Sequence, residues 1–131
     1  MTDSKGKVVL LDDDKFLADM YSMKFTQSGF EVNVCLSADD ALAAIRKGFD
    51  PDAVLFDLVM PGQDGFSFLQ TLVSEKLAAH AVRIALTNQS DDAEREKAMQ
   101  LGADRYIVKA SMIPSEVVAA VGDEIAKKKG K

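Results

Sequence analysis

The chain contains few of the residues that mark specialised protein classes. Its 131 residues include no tryptophan, one cysteine, one histidine and three prolines. The lone Cys35 excludes an internal disulfide and fits a reducing compartment. The lone His80 has no ligand partner in its polar loop region, so we expect it to be exposed. No apolar run approaches membrane-spanning length, and the amino end lacks the layout of a signal peptide. These absences predict a soluble, cytoplasmic protein that does not insert into membranes.

Positive charge is scarce outside the last few residues. The formal net charge is −5, from 16 Lys+Arg and 21 Asp+Glu, and four of the lysines lie in the last five positions. The rest of the chain has 12 basic and 21 acidic residues, a balance of −9. This balance argues against direct nucleic-acid binding through a folded face. We expect residues 127–131 to form a solvated basic tail rather than a binding patch.

The chain alternates between short apolar runs and helical patterns. The apolar runs predict five strands, at residues 7–11, 30–35, 54–57, 82–86 and 106–108. Between them, apolar residues recur at helical spacing. Capping and turn residues mark the helix ends: Ser37, Asp91, Pro114, Gly29, Gly48 and Gly102. Five strands alternating with five helices predict an α/β fold, in which helices cover both faces of a parallel sheet through right-handed crossovers.

Acidic residues follow two of the predicted strands. Asp12, Asp13 and Asp14 come directly after the first strand, and Asp57 ends the third. If these strands are neighbours in a parallel sheet, their carboxyl ends place the carboxylates at one edge. Like charges at that distance repel, which raises at least one pKa unless a cation neutralises them. Because hard oxygen ligands suit Mg²⁺, the pattern predicts a metal held beside a reactive aspartate.

Three further residues fall at the same edge of the sheet. Thr87 follows the fourth strand, Lys109 follows the fifth, and Val59 lies two residues after Asp57. Taken singly, a threonine at a strand end, an aspartate in a turn and a lysine at the surface are all routine. Their joint placement after neighbouring strands favours a functional site.

Four segments, in this order and spacing, resemble the receiver domain of two-component response regulators. They are Leu-Leu-Asp-Asp-Asp at 10–14, Phe-Asp-Leu-Val-Met-Pro-Gly-Gln-Asp-Gly at 56–65, Leu-Thr-Asn at 86–88 and Leu-Gly-Ala-Asp-Arg-Tyr-Ile-Val-Lys at 101–109. The resemblance covers residues 7 to about 125. It implies a flavodoxin-like (βα)5 sheet of strand order 2-1-3-4-5, and a single chemotaxis-regulator-like receiver domain over residues 1–131 with a folded core at about 7–126.

The resemblance also implies a role for each site residue. Asp57 would take a phosphoryl group from a phosphohistidine on a histidine kinase or phosphotransfer protein. The Thr87 hydroxyl and the Lys109 ammonium would hold the phosphoryl oxygens. The ligands of Mg²⁺, or of Mn²⁺ as a substitute, would be Asp12 through water, Asp13, Asp57 and the Val59 carbonyl. Asp14 would face solvent at a helix start.

Receivers are signalling domains rather than enzymes, although they assist their own phosphorylation and dephosphorylation. By resemblance, phosphorylation would draw Thr87 toward the phosphoryl group and let Tyr106 rotate inward. The change would reach the face formed by the fourth helix, fifth strand and fifth helix, where a downstream protein or a second copy could dock. The first helix adds two apolar stripes. We expect Leu17/Tyr21/Phe25 to be buried, and leave Phe16/Met20/Met23 open as a kinase-docking face.

Departures from the family pattern concern the rim of the site. Ala110 stands where receivers usually carry a proline after the lysine, so the conformation of the Lys109–Ala110 bond stays open. Asn88 replaces a small residue beside Thr87. Val59 and Gln89 occupy positions that tune hydrolysis in the family. We hypothesise that the apolar Val59 disfavours an attacking water and prolongs the phosphorylated state.

Rival functions fit these residues less well. A haloacid-dehalogenase-type phosphatase needs a second aspartate where this chain has Val59. A flavodoxin-like FMN carrier needs a Ser/Thr/Gly-rich loop where this chain has three aspartates, which would repel phosphate. A scaffold built on a degenerate receiver is the better rival, yet the site residues are all present. The fold is complete by about Lys127, which leaves a stand-alone regulator or an excised receiver as alternatives.

Overall fold

The computed structural model describes residues 6–60, 63–88 and 90–129, with five parallel strands in one sheet. The strands are β1 (Gly6–Leu11), β2 (Phe30–Cys35), β3 (Ala53–Asp57), β4 (Val82–Thr87) and β5 (Arg105–Val108). Their order is β2-β1-β3-β4-β5, and every neighbouring pair is parallel. The predicted flavodoxin-like arrangement is therefore confirmed, and its central strand β3 is buried along its whole length.

Five helices connect the strands. They are α1 (Lys15–Gln27), α2 (Ala38–Arg46), α3 (Gly65–Ser74), α4 (Asp92–Leu101) and α5 (Pro114–Lys129). Two short elements were not predicted, and both follow strands that end at the site. Val59–Met60 pairs in antiparallel fashion with Gln63–Asp64, and Lys109–Ser111 forms one 3₁₀ turn.

Side-chain caps explain where four of the helices begin. The predicted caps Ser37 and Asp91 accept hydrogen bonds from the backbone N–H groups of Asp40 and Glu94, at 3.1 and 3.0 Å. Asp14 and Asp64 cap α1 and α3 in the same way. Each cap satisfies one of the N–H groups that the first helical turn leaves without a partner. Asp14 is exposed at its helix start, as expected.

Apolar side chains fill both faces of the sheet. Helices α2, α3 and α4 cover the face that carries Phe56, whose ring lies 5.7 Å from that of Phe68. Helices α1 and α5 cover the other face, where Phe25 and Phe30 meet edge to face at 5.5 Å. The predicted inner stripe of α1 is confirmed, since Tyr21 and Phe25 are buried and Leu17 is half-buried. The second stripe is exposed, with 77% of Phe16, 38% of Met20 and 59% of Met23 accessible.

The predicted basic tail at 127–131 is corrected in part. Lys127, Lys128 and Lys129 are exposed, as expected, but α5 remains helical through Lys129. Lys128 Nζ donates to the Ala81 carbonyl at 3.1 Å, and Lys129 Nζ lies 3.3 Å from Asp52 Oδ1. These lysines find partners because the end of α5 passes the amino-terminal edge of the sheet, and cations are favourable at a helix C-terminus. Residues 130–131 lie outside the described part of the chain.

His80 is exposed as expected, and its Nε2 lies 2.9 Å from Asp50 Oδ1. Within residues 6–60, 63–88 and 90–129, no helix combines the length and apolar character that crossing a bilayer requires.

Gly102 and Gly122 should respond oppositely to alanine. Gly102 ends α4 at φ +119°, where a Cβ would lie 3.1 Å from Val73 Cγ2. Gly122 is inside α5, where a Cβ would make ordinary contact with Phe30 Cζ at 3.7 Å. We expect Gly102→Ala to lower the free energy of unfolding by about 1–2 kcal/mol. Gly122→Ala should raise it by about 0.5–1 kcal/mol through helix propensity. Urea denaturation measures both, and equal shifts would contradict this assignment of the two backbone conformations.

Candidate functional site

Three polar residues are buried where neighbouring strands end. Among the described residues, the buried polar or charged side chains are Asp12, Asp57 and Thr87, at 0, 3 and 2% exposure. Asp12 follows β1, Asp57 ends β3, and Thr87 ends β4. Since β1, β3 and β4 are neighbours in the sheet, the fold brings these residues to one edge, as the sequence predicts.

Both buried carboxylates are oriented by the backbone. Asp12 Oδ1 accepts from the Asp14 N–H at 3.0 Å, and Asp57 Oδ1 accepts from the Val59 N–H at 3.0 Å. The Asp12 N–H itself donates to the Cys35 carbonyl at 3.1 Å, which continues the β1–β2 pairing into the site. These bonds fix each carboxylate and direct its second oxygen toward the other.

Lys109 lies between those second oxygens. Its Nζ donates to Asp12 Oδ2 at 2.7 Å and to Asp57 Oδ2 at 3.1 Å, and its side chain is 7% exposed. The lysine comes from the end of β5 and opens the 3₁₀ turn that also contains the exposed Ala110. The Lys109–Ala110 bond, left open by the sequence, is trans, as are the other peptide bonds of the described residues.

The electrostatics of the site follow from this geometry. Burial raises the pKa of Asp57, and the Val59 N–H and the Lys109 ammonium only partly oppose the rise. Burial alone would lower the pKa of Lys109, but the hydrogen bonds and charges of Asp12 and Asp57 outweigh it and raise that pKa. The ammonium therefore stays charged, and one cation faces several carboxylates.

The carboxylates also suit a divalent cation. Asp12, Asp13 and Asp57 each offer an oxygen within 4.8 Å of the others, and Asp13 is exposed, which leaves the cluster open to solvent. Mg²⁺ prefers one or two carboxylates with waters and phosphate oxygens. Three carboxylates against one lysine leave excess negative charge, so the donor set fits the predicted metal. The side chain of Val59 is 62% exposed at the rim of this cluster.

Thr87 and Tyr106 lie on the same face of the sheet. In the β4–β5 register, Thr87 is opposite Val108 and Ala85 is opposite Tyr106. Because alternate residues of a strand share a face, the Thr87 and Tyr106 side chains both point toward the α4 side. The Tyr106 ring is half-buried against the core on that face. Asn88 is exposed beside Thr87, and the predicted modulating residue Gln89 lies outside the described residues.

Gly65 is a site residue that the sequence analysis missed. It opens α3, its N–H donates to the Leu58 carbonyl at 3.0 Å, and a Cβ there would collide with the Asp57 carbonyl oxygen. The same Cβ would lie 2.8 Å from Leu58 Cα. The absence of a side chain therefore lets α3 pack directly against the backbone of Asp57. The sequence signal was the glycine that closes the segment 56–65, to which no separate role was assigned.

Comparison with known proteins agrees with the fold and shows the family. Residues 8–121 match the model of the response regulator receiver domain, and the chain belongs to this family. The DNA-binding response regulator MtrA of Mycobacterium tuberculosis is 31% identical over 121 residues, which are 92% of this chain and 51% of that protein. The probable transcriptional regulator ycf27 of Pyropia yezoensis is 30% identical over 121 residues, 92% of this chain and 48% of that protein. The chain thus spans about half the length of these curated relatives.

Solved receiver structures share the architecture. A putative response regulator from Chloroflexus aurantiacus superposes with a TM-score of 0.82 at 29% identity, covering 92% of this chain and 98% of that one. The receiver domain of Francisella response regulator 1452 gives 0.82 at 26%, covering 95% and 98%. A CheY-like receiver protein from Methanospirillum hungatei gives 0.84 at 23%, covering 95% and 96%, and shows the fold alone.

Membership of the family defines what kind of protein this is. The chain is a receiver domain of the two-component type, a signalling domain rather than a conventional enzyme. Receiver domains bind Mg²⁺ at an acidic pocket and interact with histidine kinases and downstream targets.

Neutralising Asp57 should stabilise the metal-free protein at neutral pH. Burial raises the pKa of Asp57 in the folded state, so its charged form destabilises that state. This destabilisation appears as the pH rises through the pKa of the unfolded state, and it is complete above the pKa of the folded state. Asp57→Asn should therefore raise the free energy of unfolding at pH 7, and have little effect below the ordinary carboxyl pKa of about 3.9. Urea unfolding in EDTA at both pH values measures the difference.

The control for this measurement is Asp14→Asn. It removes the same charge from an exposed helix cap, where asparagine caps equally well. A stabilisation by Asp57→Asn that persists unchanged in acid would contradict the assignment to the buried charge.

Proposed function

We propose that this receiver accepts a phosphoryl group on Asp57. The observation that supports it best is the environment of that carboxylate, which is 3% exposed, hydrogen-bonded through both oxygens and 3.1 Å from a buried lysine ammonium. Burying a carboxylate in this way is costly, and burial beside like charges raises its pKa. A structural role does not require such a site, whereas phosphoryl transfer needs an aligned oxygen nucleophile.

The proposed transfer uses the residues at the sheet edge. An Asp57 oxygen forms a bond to phosphorus as the phosphorus–nitrogen bond of a phosphohistidine breaks, and the imidazole leaves with its electron pair and takes up a proton. Lys109 remains beside the carboxylate as a point charge for the phosphoryl oxygens. Thr87, buried at the end of the adjacent strand β4, would supply a hydroxyl at the same edge of the sheet.

The residues that would hold Mg²⁺, or Mn²⁺ in its place, are Asp12, Asp13, Asp57 and the Val59 carbonyl. The first three already present oxygens within 4.8 Å of one another. When bound, the ion would neutralise charge that builds up on the transferred group. Asp12 and Asp57 are held in position by the Asp14 and Val59 N–H groups, so this chain keeps its donors oriented without the ion.

The proposed output is a change on the face formed by α4, β5 and α5. Phosphorylation adds close to two negative charges, to which the Thr87 hydroxyl can donate. Tyr106 lies on the same sheet face and is half-buried, so it can move inward if Thr87 vacates space. A downstream protein or a second copy of the chain would read this face. We propose that the chain acts in the cytoplasm, as one receiver domain over residues 1–131.

The phosphodonor would dock on the exposed stripe of α1. Phe16 and Met23 are 77 and 59% exposed on the helix that begins directly after the acidic cluster. An exposed group of large apolar side chains is typical of a protein-interaction surface. Its position beside Asp57 suits a histidine kinase or phosphotransfer protein that must bring its phosphohistidine to this edge.

Phosphorylation by a small donor tests the proposal directly. Intact-mass spectrometry after incubation with acetyl phosphate should show one added phosphoryl group that requires Mg²⁺. Asp57→Asn should abolish the addition because it removes the nucleophile. Asp14→Asn, which changes a neighbouring but exposed helix cap, should leave it intact. No addition to the wild type in Mg²⁺ would refute the phosphoacceptor function and favour a scaffold that uses the same surfaces.

The lifetime of the phosphorylated state should depend on Val59. Its side chain is apolar and 62% exposed at the rim of the site, where it can neither donate to nor accept from an attacking water. Val59→Asn should speed dephosphorylation roughly fivefold, the equivalent of one hydrogen bond worth about 1 kcal/mol. Val59→Leu, which keeps the rim apolar, is the control. An unchanged or slower dephosphorylation rate in Val59→Asn would contradict the hypothesis that the apolar Val59 prolongs the phosphorylated state.

A further inference from the structure

Helix α4 is held to the rest of the domain by unusually little buried surface. Ala98 is its one buried residue, whereas each of the other four helices has at least three. Its sequence from Asp92 to Leu101 is rich in charged and polar residues, and Met99 is 41% exposed. Hydrophobic burial normally provides most of the stability of a helix in a protein. The attachment of α4 must therefore depend more on specific side-chain contacts.

Two such contacts lie at different points along α4. Lys97 Nζ lies 4.4 Å from the centroid of the Phe66 ring, over the first turn of α3. At the carboxyl end of the helix, Arg83 Nη1 lies 3.5 Å from the Gly102 carbonyl, which is only a weak hydrogen bond. A lysine within about 6 Å of an aromatic centroid is attracted by the ring quadrupole. The Lys97–Phe66 pair is thus the better-formed of the two contacts.

Phe66 links this pair to the backbone of the phosphoacceptor. It follows Gly65, whose N–H bonds the Leu58 carbonyl and whose missing Cβ lets α3 pack against Asp57. The Phe66 ring is itself half-buried against the core layer that contains Phe56 and Leu58. The ring under Lys97 is therefore supported by the core, and its helix is attached to the segment that carries Asp57.

We propose that the Lys97–Phe66 cation–π pair is a latch that holds α4 against the first turn of α3. The latch restrains the helix at its middle, while Ala98 is the one buried residue of α4 and Leu101 is half-buried against the core at its end. Because α4 belongs to the proposed output face, the strength of the latch would set how readily that face rearranges, and this consequence rests on the proposed function. The latch itself is a property of the unmodified protein.

Hydrogen exchange of the unmodified protein tests the latch. In Lys97→Met, which keeps the apolar stem and removes the charge, the α4 amides (92–101) should exchange about two- to fivefold faster. Phe66→Leu, which keeps an apolar side chain and removes the ring, should do the same. Lys97→Arg should keep the slow exchange of the wild type, since a guanidinium also stacks on a ring. The α2 amides should not change in any variant.

Two comparisons separate the latch from a general effect of charge. Arg95→Met removes the same charge from an exposed position of the same helix and should leave α4 exchange at the wild-type rate. In the Phe66→Leu background, Lys97→Met should add nothing further, because the partner ring is already gone. Equal acceleration by Arg95→Met, or an undiminished effect of Lys97→Met without the ring, would overturn the latch. Neither outcome depends on phosphorylation, so failure here is distinct from failure of Asp57 to accept a phosphoryl group.

Discussion

The ion-pair bridge from Lys109 to Asp12 and Asp57 is the interaction on which the rest of the site depends. Its 2.7 and 3.1 Å contacts join the ends of β5, β1 and β3, segments separated by up to 97 residues in sequence. Buried charges are expensive to desolvate, and removing the one cation that two buried carboxylates share is strongly destabilising. Without the ammonium, two buried carboxylates would face each other across the sheet edge. The bridge therefore explains how a cluster of like charges is compatible with folding.

The hydrophobic layers on both faces of the sheet fix the geometry of this bridge. The residues from Ala53 to Leu58 are buried, so the backbone that carries Asp57 is fixed from both faces of the sheet. The backbone N–H of Val59 and the packing of Gly65 then orient the carboxylate from the loop side. Close packing of this kind allows little adjustment, because each core side chain already fills its space. A rigidly held Asp57 carboxylate beside an open, solvent-facing Asp13 is the outcome.

The sequence was most informative where chemistry and local pattern coincide. Apolar runs ending in polar residues located Asp12, Asp57, Thr87 and Lys109, because strand ends in a parallel sheet must meet at one edge. The helix caps Ser37 and Asp91 followed from short-range hydrogen bonding, which needs only neighbouring residues. In each of these cases the information lies within one segment or in the regular topology that connects segments.

What the sequence did not predict depends on contacts between distant segments. The role of Gly65 is visible only once α3 is placed on the Asp57 backbone. The partners of Lys128 and Lys129 were not predicted because the Ala81 carbonyl and Asp52 lie some 47 and 77 residues earlier. The Lys97–Phe66 contact joins two helices whose sequences show only ordinary charged and apolar faces. Periodicity identifies which side of a helix is buried. It does not identify which residue of a neighbouring helix a given side chain will contact.

The distribution of burial divides the domain into parts with different freedom. The edge that carries Asp57 is fixed by strands buried on both faces and by charge-assisted bonds, whereas α4 has one buried residue and a surface cation–π contact. Local stability in a protein follows such differences, and elements with few buried contacts open first. The proposed phosphoacceptor function needs both properties, because it requires a carboxylate that is held still and a neighbouring face that can change shape. The polar sequence from Asp92 to Leu101 leaves α4 weakly held. A small change at the edge that carries Asp57 could therefore shift this helix.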